Sequence, residues 1–144
     1  MNQFLKDYGI RFRGDNVVRT SYYKYPHPKE CYIETCKVHP EFLKSIKSLA
    51  GKKKIVLNDD LLDNDDDIVE EDSNLKIVYP YGQSLDVNPN VSVVFNSGIL
   101  SYPINRPLSA CGVNKKGRLF VLGSEKFFED DYFEKEENKK VTVS

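Results

Sequence analysis

The chain of 144 residues is long enough for one domain with a single hydrophobic core. Its composition of 40% hydrophobic and 30% charged residues, with a mean hydropathy of −0.52, argues against a membrane protein. The net charge of −1 conceals three blocks: residues 1–54 carry 12 Lys and Arg against 5 Asp and Glu, residues 55–75 carry 9 acidic residues alone, and residues 76–144 are nearly balanced.

This charge pattern affects whether nucleic acid is expected as a partner. The basic first third could attract nucleic acid, but the adjacent acidic block can screen or occupy it, so we expect no nucleic-acid partner and no membrane insertion. Residues 1–6 lack the apolar run of a signal peptide. The chain has three cysteines, Cys31, Cys36 and Cys111. Because an odd number of cysteines does not suit a disulfide framework, we expect reduced thiols in an intracellular protein.

A short helix and two strands are predicted at the start of the chain. Asn2–Tyr8 places its apolar side chains on one helical face, and Gly9 follows where a helix end favours a positive φ. Alternating or β-branched residues then predict strands at Ile10–Arg13 and Val17–Thr20.

Tyr22–Glu30, here called the tyrosine–proline segment, is crowded with aromatic and charged residues. Pro26 and Pro28 exclude a helix and favour extended backbone before them, which predicts an edge or crossing segment. Tyrosines beside lysine would suit a nucleic-acid surface, but alternate packing along a strand explains them more simply. We interpret Tyr23 and Tyr25 as packing residues. The polar residues form a candidate interaction surface: Lys24, His27, Lys29 and Glu30.

The middle of the chain predicts a helix followed by a charged loop. Apolar residues recur at helical spacing over Pro40–Ala50, and Gly51 lies just past the end. A short buried strand is predicted at Ile55–Leu57. Residues 58–74 are predicted to form a flexible acidic loop, because repeated carboxylates repel one another and offer little to bury.

The last half is predicted to be rich in strands and to close with a helix around Phe127–Lys140. Turn-forming residues separate the predicted strands Leu75–Tyr79, Val91–Phe95, Ile99–Tyr102, Pro107–Val113 and Arg118–Leu122. Asn114–Gly117 suits a hairpin loop between the last two. Because Leu119–Leu122 is apolar throughout, we expect a central strand covered on both faces.

Possible metal sites are incomplete in the sequence. Cys31, Cys36 and His39 offer three ligands, but their spacing matches no closed zinc set and no fourth ligand is near. An acidic loop that begins at Asp59 lacks the glycine and the early ligand of a calcium loop. We expect no metal and no cofactor.

Catalytic constellations are incomplete as well. Cys111 has no histidine downstream, and nothing marks a group that would orient His27 or His39 toward it. Gly123 and Ser124 lie where an α/β hydrolase places its serine, but the further glycines of that turn and of a phosphate-binding loop are absent. We therefore expect that the protein is not an enzyme.

Several sequence blocks carry a family resemblance. They are Tyr8–Ile10, Val17–Arg19, Tyr22–Tyr25, His27–Glu30, Tyr79–Gly82, Ser97–Gly98, Tyr102–Pro107, Gly117–Ser124 and Lys135–Asn138. In this order they resemble the second half of the N-terminal (GIFT) domain of the intraflagellar transport protein 52 family. The resemblance covers residues 2–141 apart from roughly residues 31–74.

The resemblance implies an α/β fold with a Rossmann-like mixed sheet flanked by helices, as a single partial domain over residues 1–144. It implies a non-catalytic scaffold module of complex B, the assembly that carries ciliary cargo, with other complex B subunits as partners. The implied locations are the cilium or flagellum, the basal body and a cytoplasmic pool. Asn105 and Arg106, within a matched block, join the candidate interaction surface.

One alternative and one departure accompany the resemblance. The alternative is a remnant domain that binds a small polar or sugar-like molecule at the end of the central strand, near Gly123 and Ser124. The departure is that only half of the family domain is matched. We therefore expect an exposed sheet edge and apolar face, and self-association of the isolated chain.

Overall fold

The computed structural model describes residues 1–21, 24–37, 39–41, 44, 74–115 and 117–143. The elements in chain order are α1 (Asn2–Lys6), β1 (Ile10–Phe12), β2 (Val18–Arg19), β3 (Glu30–Lys37), β4 (Asn74–Pro80), β5 (Leu85–Val87), β6 (Ser92–Asn96), β7 (Ser101–Tyr102), β8 (Pro107–Asn114), β9 (Gly117–Leu122), a 3₁₀ turn (Lys126–Phe128), α2 (Asp130–Phe133) and α3 (Asn138–Val143). None of the helices described is long and apolar enough to cross a membrane.

The strands pair as four small antiparallel sheets. β1 pairs with β5, β2 with β7 and β3 with β4, while β8 lies between β6 and β9 in a three-stranded sheet. Every pairing among the described strands is antiparallel. The described residues therefore form a strand-rich fold with a few short helices, and the predicted Rossmann-like mixed sheet flanked by helices is not seen in these ranges.

Local sequence patterns predicted much of this arrangement. The opening helix is present, and Gly9 follows it with a φ of +72°. The strands β1, β2, β4, β6, β8 and β9 lie within a few residues of their predicted positions. The hairpin of β8 and β9 is confirmed, with Asn114 opposite Gly117 across the turn.

Two predictions of regular structure near the end of the chain are wrong. β9 is an edge strand of its described sheet, and Phe120 on it is 43% exposed, so its apolar run is not covered on both faces. The predicted closing helix is broken into the 3₁₀ turn, α2 and α3. Glu129 has extended backbone at the first break, and Glu136 has a φ of +50° at the second, which a continuous helix does not allow.

The tyrosine–proline segment also differs from its prediction. Residues 24–27 form bends and residues 28–29 form a turn, so the two prolines fold the chain back instead of holding it extended. The long strand β3 starts at Glu30, in a region whose structure the sequence left open. β5 was not predicted, because it has only three residues and its partner β1 lies more than seventy residues earlier.

Buried apolar side chains form two packed clusters. The larger one joins β3, β4, β6 and β8 with the C-terminal turns: Val17, Cys31, Ile33, Leu75, Ile77, Tyr79, Val94, Phe95, Leu108, Phe127 and Val141. The smaller one lies between α1, β1, β5 and the β8–β9 hairpin: Leu5, Ile10, Leu85, Ala110 and Val121. Burial of one side chain as large as Ile77 or Phe95 contributes about 1.5–3 kcal/mol to folding.

Several predictions fall outside the described residues. They concern most of the helix at residues 40–50, the strand at residues 55–57 and the acidic loop at residues 58–73, together with Tyr22, Tyr23 and the side chain of Cys36. Asn74, which the prediction placed at the end of the loop, begins β4.

Candidate interaction surface

The tyrosine–proline segment packs against a C-terminal stretch more than one hundred residues away. The Tyr25 hydroxyl donates a hydrogen bond to Glu136 Oε1 at 2.7 Å, and the Lys24 ammonium pairs with the same carboxylate. In a second crossing contact, the Tyr132 hydroxyl donates to Glu30 Oε1 at 2.7 Å. Two tyrosine–carboxylate pairs therefore join the two segments.

Lysine side chains add contacts with the aromatic faces. Lys135 Nζ lies 4.4 Å from the ring centre of Tyr132 and 5.4 Å from that of Tyr25. Lys24 Nζ lies 4.8 Å from the ring centre of Tyr32 on β3. All three distances are in the range of cation–π contacts. We call the joined residues the tyrosine–carboxylate cluster: Lys24, Tyr25, Glu30, Tyr132, Lys135 and Glu136.

The environment shifts the pKa of every acid in this cluster. Burial raises the pKa of the Glu136 carboxyl, but hydrogen bonds from Lys24 and Tyr25 outweigh burial and lower it on balance. Burial also raises the pKa of the Glu30 carboxyl, but the hydrogen bonds from Tyr132 and the His27 amide, together with nearby positive charge, outweigh burial and lower it on balance. Burial, and then a bond to a carboxylate, raises the pKa of the Tyr25 and Tyr132 hydroxyls. At neutral pH the carboxylates are charged and the phenols protonated, as the bonds require.

Acid is therefore expected to weaken the junction between the two segments. Because the pKa of Glu30 and Glu136 lies below the ordinary 4.5 in the folded chain, their contribution is full above that value and is lost as pH falls through the lowered pKa. Urea unfolding at about pH 7 and about pH 3.5 should show a fall in stability that is smaller in Glu136→Gln than in the wild type. An equal fall in both proteins would contradict this role.

The segment from Lys135 to Asn138 also closes the free edge of β4. The Lys76 amide donates to Glu137 Oε2 at 2.8 Å, and the Glu137 amide donates to the Lys76 carbonyl at 2.9 Å. The buried Asn138 side chain accepts from the Val78 amide and donates to the Val78 carbonyl, both at 2.9 Å. The two residues thus take the place of a neighbouring strand and satisfy an edge that would otherwise remain open.

His27 and Lys29 form a second part of the candidate surface, in which His27 is exposed and Lys29 is half-buried. The His27 ring lies against Tyr81 with 4.8 Å between ring centres, and its Nδ1 accepts a hydrogen bond from the Lys29 amide at 3.1 Å. The Lys29 carbonyl accepts from the Tyr81 amide at 2.8 Å. Within the described part of the chain, the Lys29 ammonium forms no ion pair. Its charge is therefore available to a partner.

Asn105 and Arg106 lie on a different part of the molecule, the segment of residues 97–106 between β6 and β8, which contains the short strand β7 and is called the loop of residues 97–106 below. Asn105 has a φ of +50°, and its amide donates to the Gly98 carbonyl at 2.8 Å. The Arg106 guanidinium lies 3.9 Å from Asp86 on β5. Strand β2 links this loop to the tyrosine–proline segment, because the Arg19 amide donates to Pro28 and the Thr20 amide to Leu100.

Gly123 and Ser124 line an open groove, but both residues are in close contact with other parts of the chain. A Cβ at Gly123 would overlap the Gln83 carbonyl oxygen and the Tyr79 hydroxyl. The buried Ser124 hydroxyl donates to the Pro80 carbonyl. The groove has a volume of about 1040 Å³, and large apolar side chains line much of it: Met1, Phe12, Tyr81, Phe120, Leu122 and Phe128. The polar groups that would orient a ligand at these two residues are thus already bonded.

The two described thiols are poor nucleophiles. Burial raises the pKa of the Cys31 thiol to about 12 despite the opposing charge of Arg19, and its Sγ donates to the Val17 carbonyl at 3.4 Å. Burial also raises the pKa of the Cys111 thiol. Both are protonated at neutral pH and lack the thiolate that nucleophilic chemistry needs. In the ranges described, no three His, Cys, Asp or Glu side chains are grouped to hold a metal.

Comparison with known proteins gives consistent results. The family model described as the IFT52 GIFT domain matches residues 1–143. The curated proteins named intraflagellar transport protein 52 homolog from Homo sapiens and Mus musculus are 36% and 37% identical over 98% of this chain. The solved structure titled mmIFT52 N-terminal domain matches with a TM-score of 0.75 and 32% identity over 99% of this chain. The chain spans 31% and 32% of the two curated relatives and 53% of the solved chain.

Proposed function

The chain belongs to the intraflagellar transport protein 52 family, and we propose on this basis that it is a non-catalytic scaffold module of complex B, mediating protein–protein assembly for ciliary transport. The observation that carries the proposal is the match of the GIFT-domain model to residues 1–143. The proposed partners are other complex B subunits. The proposed locations are the cilium or flagellum, the basal body and a cytoplasmic pool. The Rossmann-like sheet is proposed for the whole GIFT domain.

The geometry of the described residues supports a role in contacts over one in chemistry. The acids and phenols of the tyrosine–carboxylate cluster bond to one another, and both described thiols are protonated. Glu137 and Asn138 bond to the backbone of β4. These groups hold the fold together, so the surface that they shape, and not a reacting atom, is what the protein offers to a partner.

The proposal is tested by purification of the tagged natural protein from ciliated cells. Complex B subunits are expected in stoichiometric amounts, as identified by mass spectrometry. A protein that purifies without them would overturn the proposal.

Reversal of the charge at Lys29 is expected to weaken assembly without loss of the fold. Lys29→Glu should reduce the amount of co-purified complex by about tenfold, which corresponds to about 1.4 kcal/mol of binding free energy. The control is Lys115→Glu, because Lys115 is an exposed lysine at the β8–β9 turn. Thermal melting of both variants should match the wild type. Unchanged recovery of the complex would show that Lys29 is not a contact residue, and unfolding of Lys29→Glu would show that the segment is structural.

The alternative of a small-molecule domain has weaker support. The Gln83 carbonyl oxygen and the Tyr79 hydroxyl fill the space beside the Gly123 Cα, and the Ser124 hydroxyl already donates a hydrogen bond to the Pro80 carbonyl. Native mass spectrometry of the purified protein separates the two functions. A bound small polar molecule that is lost on a change at Ser124 would favour the alternative, whereas a protein mass without adduct agrees with the scaffold.

A further inference from the structure

The loop of residues 97–106 displays a group of large apolar side chains to solvent. Ile99, Tyr102 and Ile104 are 59%, 62% and 56% exposed. Single exposed apolar residues are common on protein surfaces, but three within six residues form a patch of the kind that marks a binding site.

Internal hydrogen bonds fix the backbone of this loop. The buried Ser97 hydroxyl donates to the Pro103 carbonyl at 2.5 Å and accepts from the Arg106 amide at 2.9 Å. The buried Ser101 hydroxyl donates to the Ser97 carbonyl at 2.5 Å. Outside the loop, the Thr20 amide and hydroxyl both donate to the Leu100 carbonyl. The apolar side chains are thus presented on a preorganised backbone, which reduces the entropy lost on binding.

A basic cluster flanks the apolar patch. Arg106, two residues after Ile104, shares the carboxylate of Asp86 with Arg11 at 2.7 Å and Arg13 at 3.1 Å. The side chains of Arg11, Arg13 and Arg106 are 68%, 36% and 44% exposed. A second carboxylate, Asp15, lies 3.6 Å from Arg13 Nε. Two carboxylates cannot use all the donors of three guanidinium groups, so this cluster keeps N–H donors and positive charge for an acidic partner.

We propose that the loop of residues 97–106 and the adjacent arginine cluster form a docking surface for an acidic protein partner. Ile99, Tyr102 and Ile104 insert into an apolar pocket of that partner, and carboxylates at the rim of the pocket contact Arg106 and its neighbours. The inference rests on the proposed function and specifies the chemistry of the subunit surface that the scaffold engages. The apolar group supplies the buried anchor, and the charges supply orientation and a faster encounter.

The test uses the natural protein with immobilised complex B from ciliated cells as the probe. Ile104→Asp should reduce recovery of the protein by about tenfold, because a carboxylate would enter the apolar pocket beside acidic groups. Val113→Asp is the matched control, since Val113 on β8 is 70% exposed and lies outside the patch. Arg106→Ala should reduce recovery at low salt and flatten the dependence on salt. Thermal melting confirms that each variant is folded.

A photoreactive residue in place of Tyr102 identifies the surface that is contacted. The expected adduct is a complex B peptide that contains apolar residues and several Asp or Glu. An adduct with a second copy of this chain, with a basic peptide or with nucleic acid would overturn the inference. If the wild type binds the complex and Ile104→Asp binds equally well, this inference fails while the proposed function stands. If the wild type does not bind, both fail.

Discussion

Replacement of Asn138 by alanine is expected to lower the free energy of unfolding by about 3 kcal/mol, because it leaves buried backbone groups without partners. The Asn138 amide bonds to both the N–H and the C=O of Val78 at 2.9 Å, and its Nδ2 donates to the Tyr132 carbonyl at 3.0 Å. Water cannot replace these bonds easily, since Asn138 is fully buried. Urea denaturation of the wild type and the variant at neutral pH measures the difference.

Two further variants make the result specific to the β4 edge. Lys139→Ala changes an exposed neighbour on the same helix and should alter stability by less than about 0.5 kcal/mol. Asn138→Asp keeps the acceptor for the Val78 amide but loses both donated bonds, so it should be destabilising as well. If Asn138→Ala is as stable as Lys139→Ala, the edge of β4 does not depend on this amide.

Replacement of Gly123 by alanine is expected to destabilise the fold by about 3 kcal/mol, at the upper end of what overpacking of a core costs. The added methyl group would overlap the Gln83 carbonyl oxygen and the Tyr79 hydroxyl, and the first of these is backbone that cannot rotate away. Both neighbours are themselves held, because the Gln83 amide donates to Gly123 and the Tyr79 hydroxyl donates to Gln83.

The neighbouring Ser124→Ala provides the control for Gly123. It removes one hydrogen bond to the Pro80 carbonyl and should cost only about 1 kcal/mol. Thermal melting of the two variants compares them directly. A Gly123→Ala protein that melts like the wild type would mean that the close approach at Gly123 is not needed for the fold, and would reopen its interpretation as part of a ligand cleft.

The elements that could be predicted from the sequence are those set by neighbours in the chain. Asn114–Gly117 joins two apolar runs, and the β8–β9 hairpin follows from that local pattern. β5 could not be predicted in the same way, because its three residues are held by β1 through contacts distant in sequence. The prediction of one continuous closing helix was wrong for a related reason. Glu136 has a φ of +50° and contacts Lys24 and Tyr25, more than one hundred residues earlier, and helical periodicity reveals neither feature.

The candidate site also combines features that neighbouring residues predict with contacts between distant residues that the sequence does not reveal. The sequence predicted a polar interaction surface around Lys24 and Glu30, but it gave no distance information to pair them with Glu136 and Tyr132. The available signal was indirect: the tyrosine–proline segment and Lys135–Asn138 both belong to the blocks that carry the family resemblance. The exposed patch at Ile99, Tyr102 and Ile104 was missed, because an apolar run predicts a buried strand unless the fold leaves it at the surface.

The proposed function requires that this protein travels in the ciliary transport particle. Two-colour live imaging of the fluorescently tagged natural protein and a tagged complex B subunit in ciliated cells tests this requirement. Both labels are expected to enter the cilium and to move together along it in both directions at the same speed. Exclusion of the protein from the cilium, or free diffusion there while the complex B subunit moves, would overturn the proposed function.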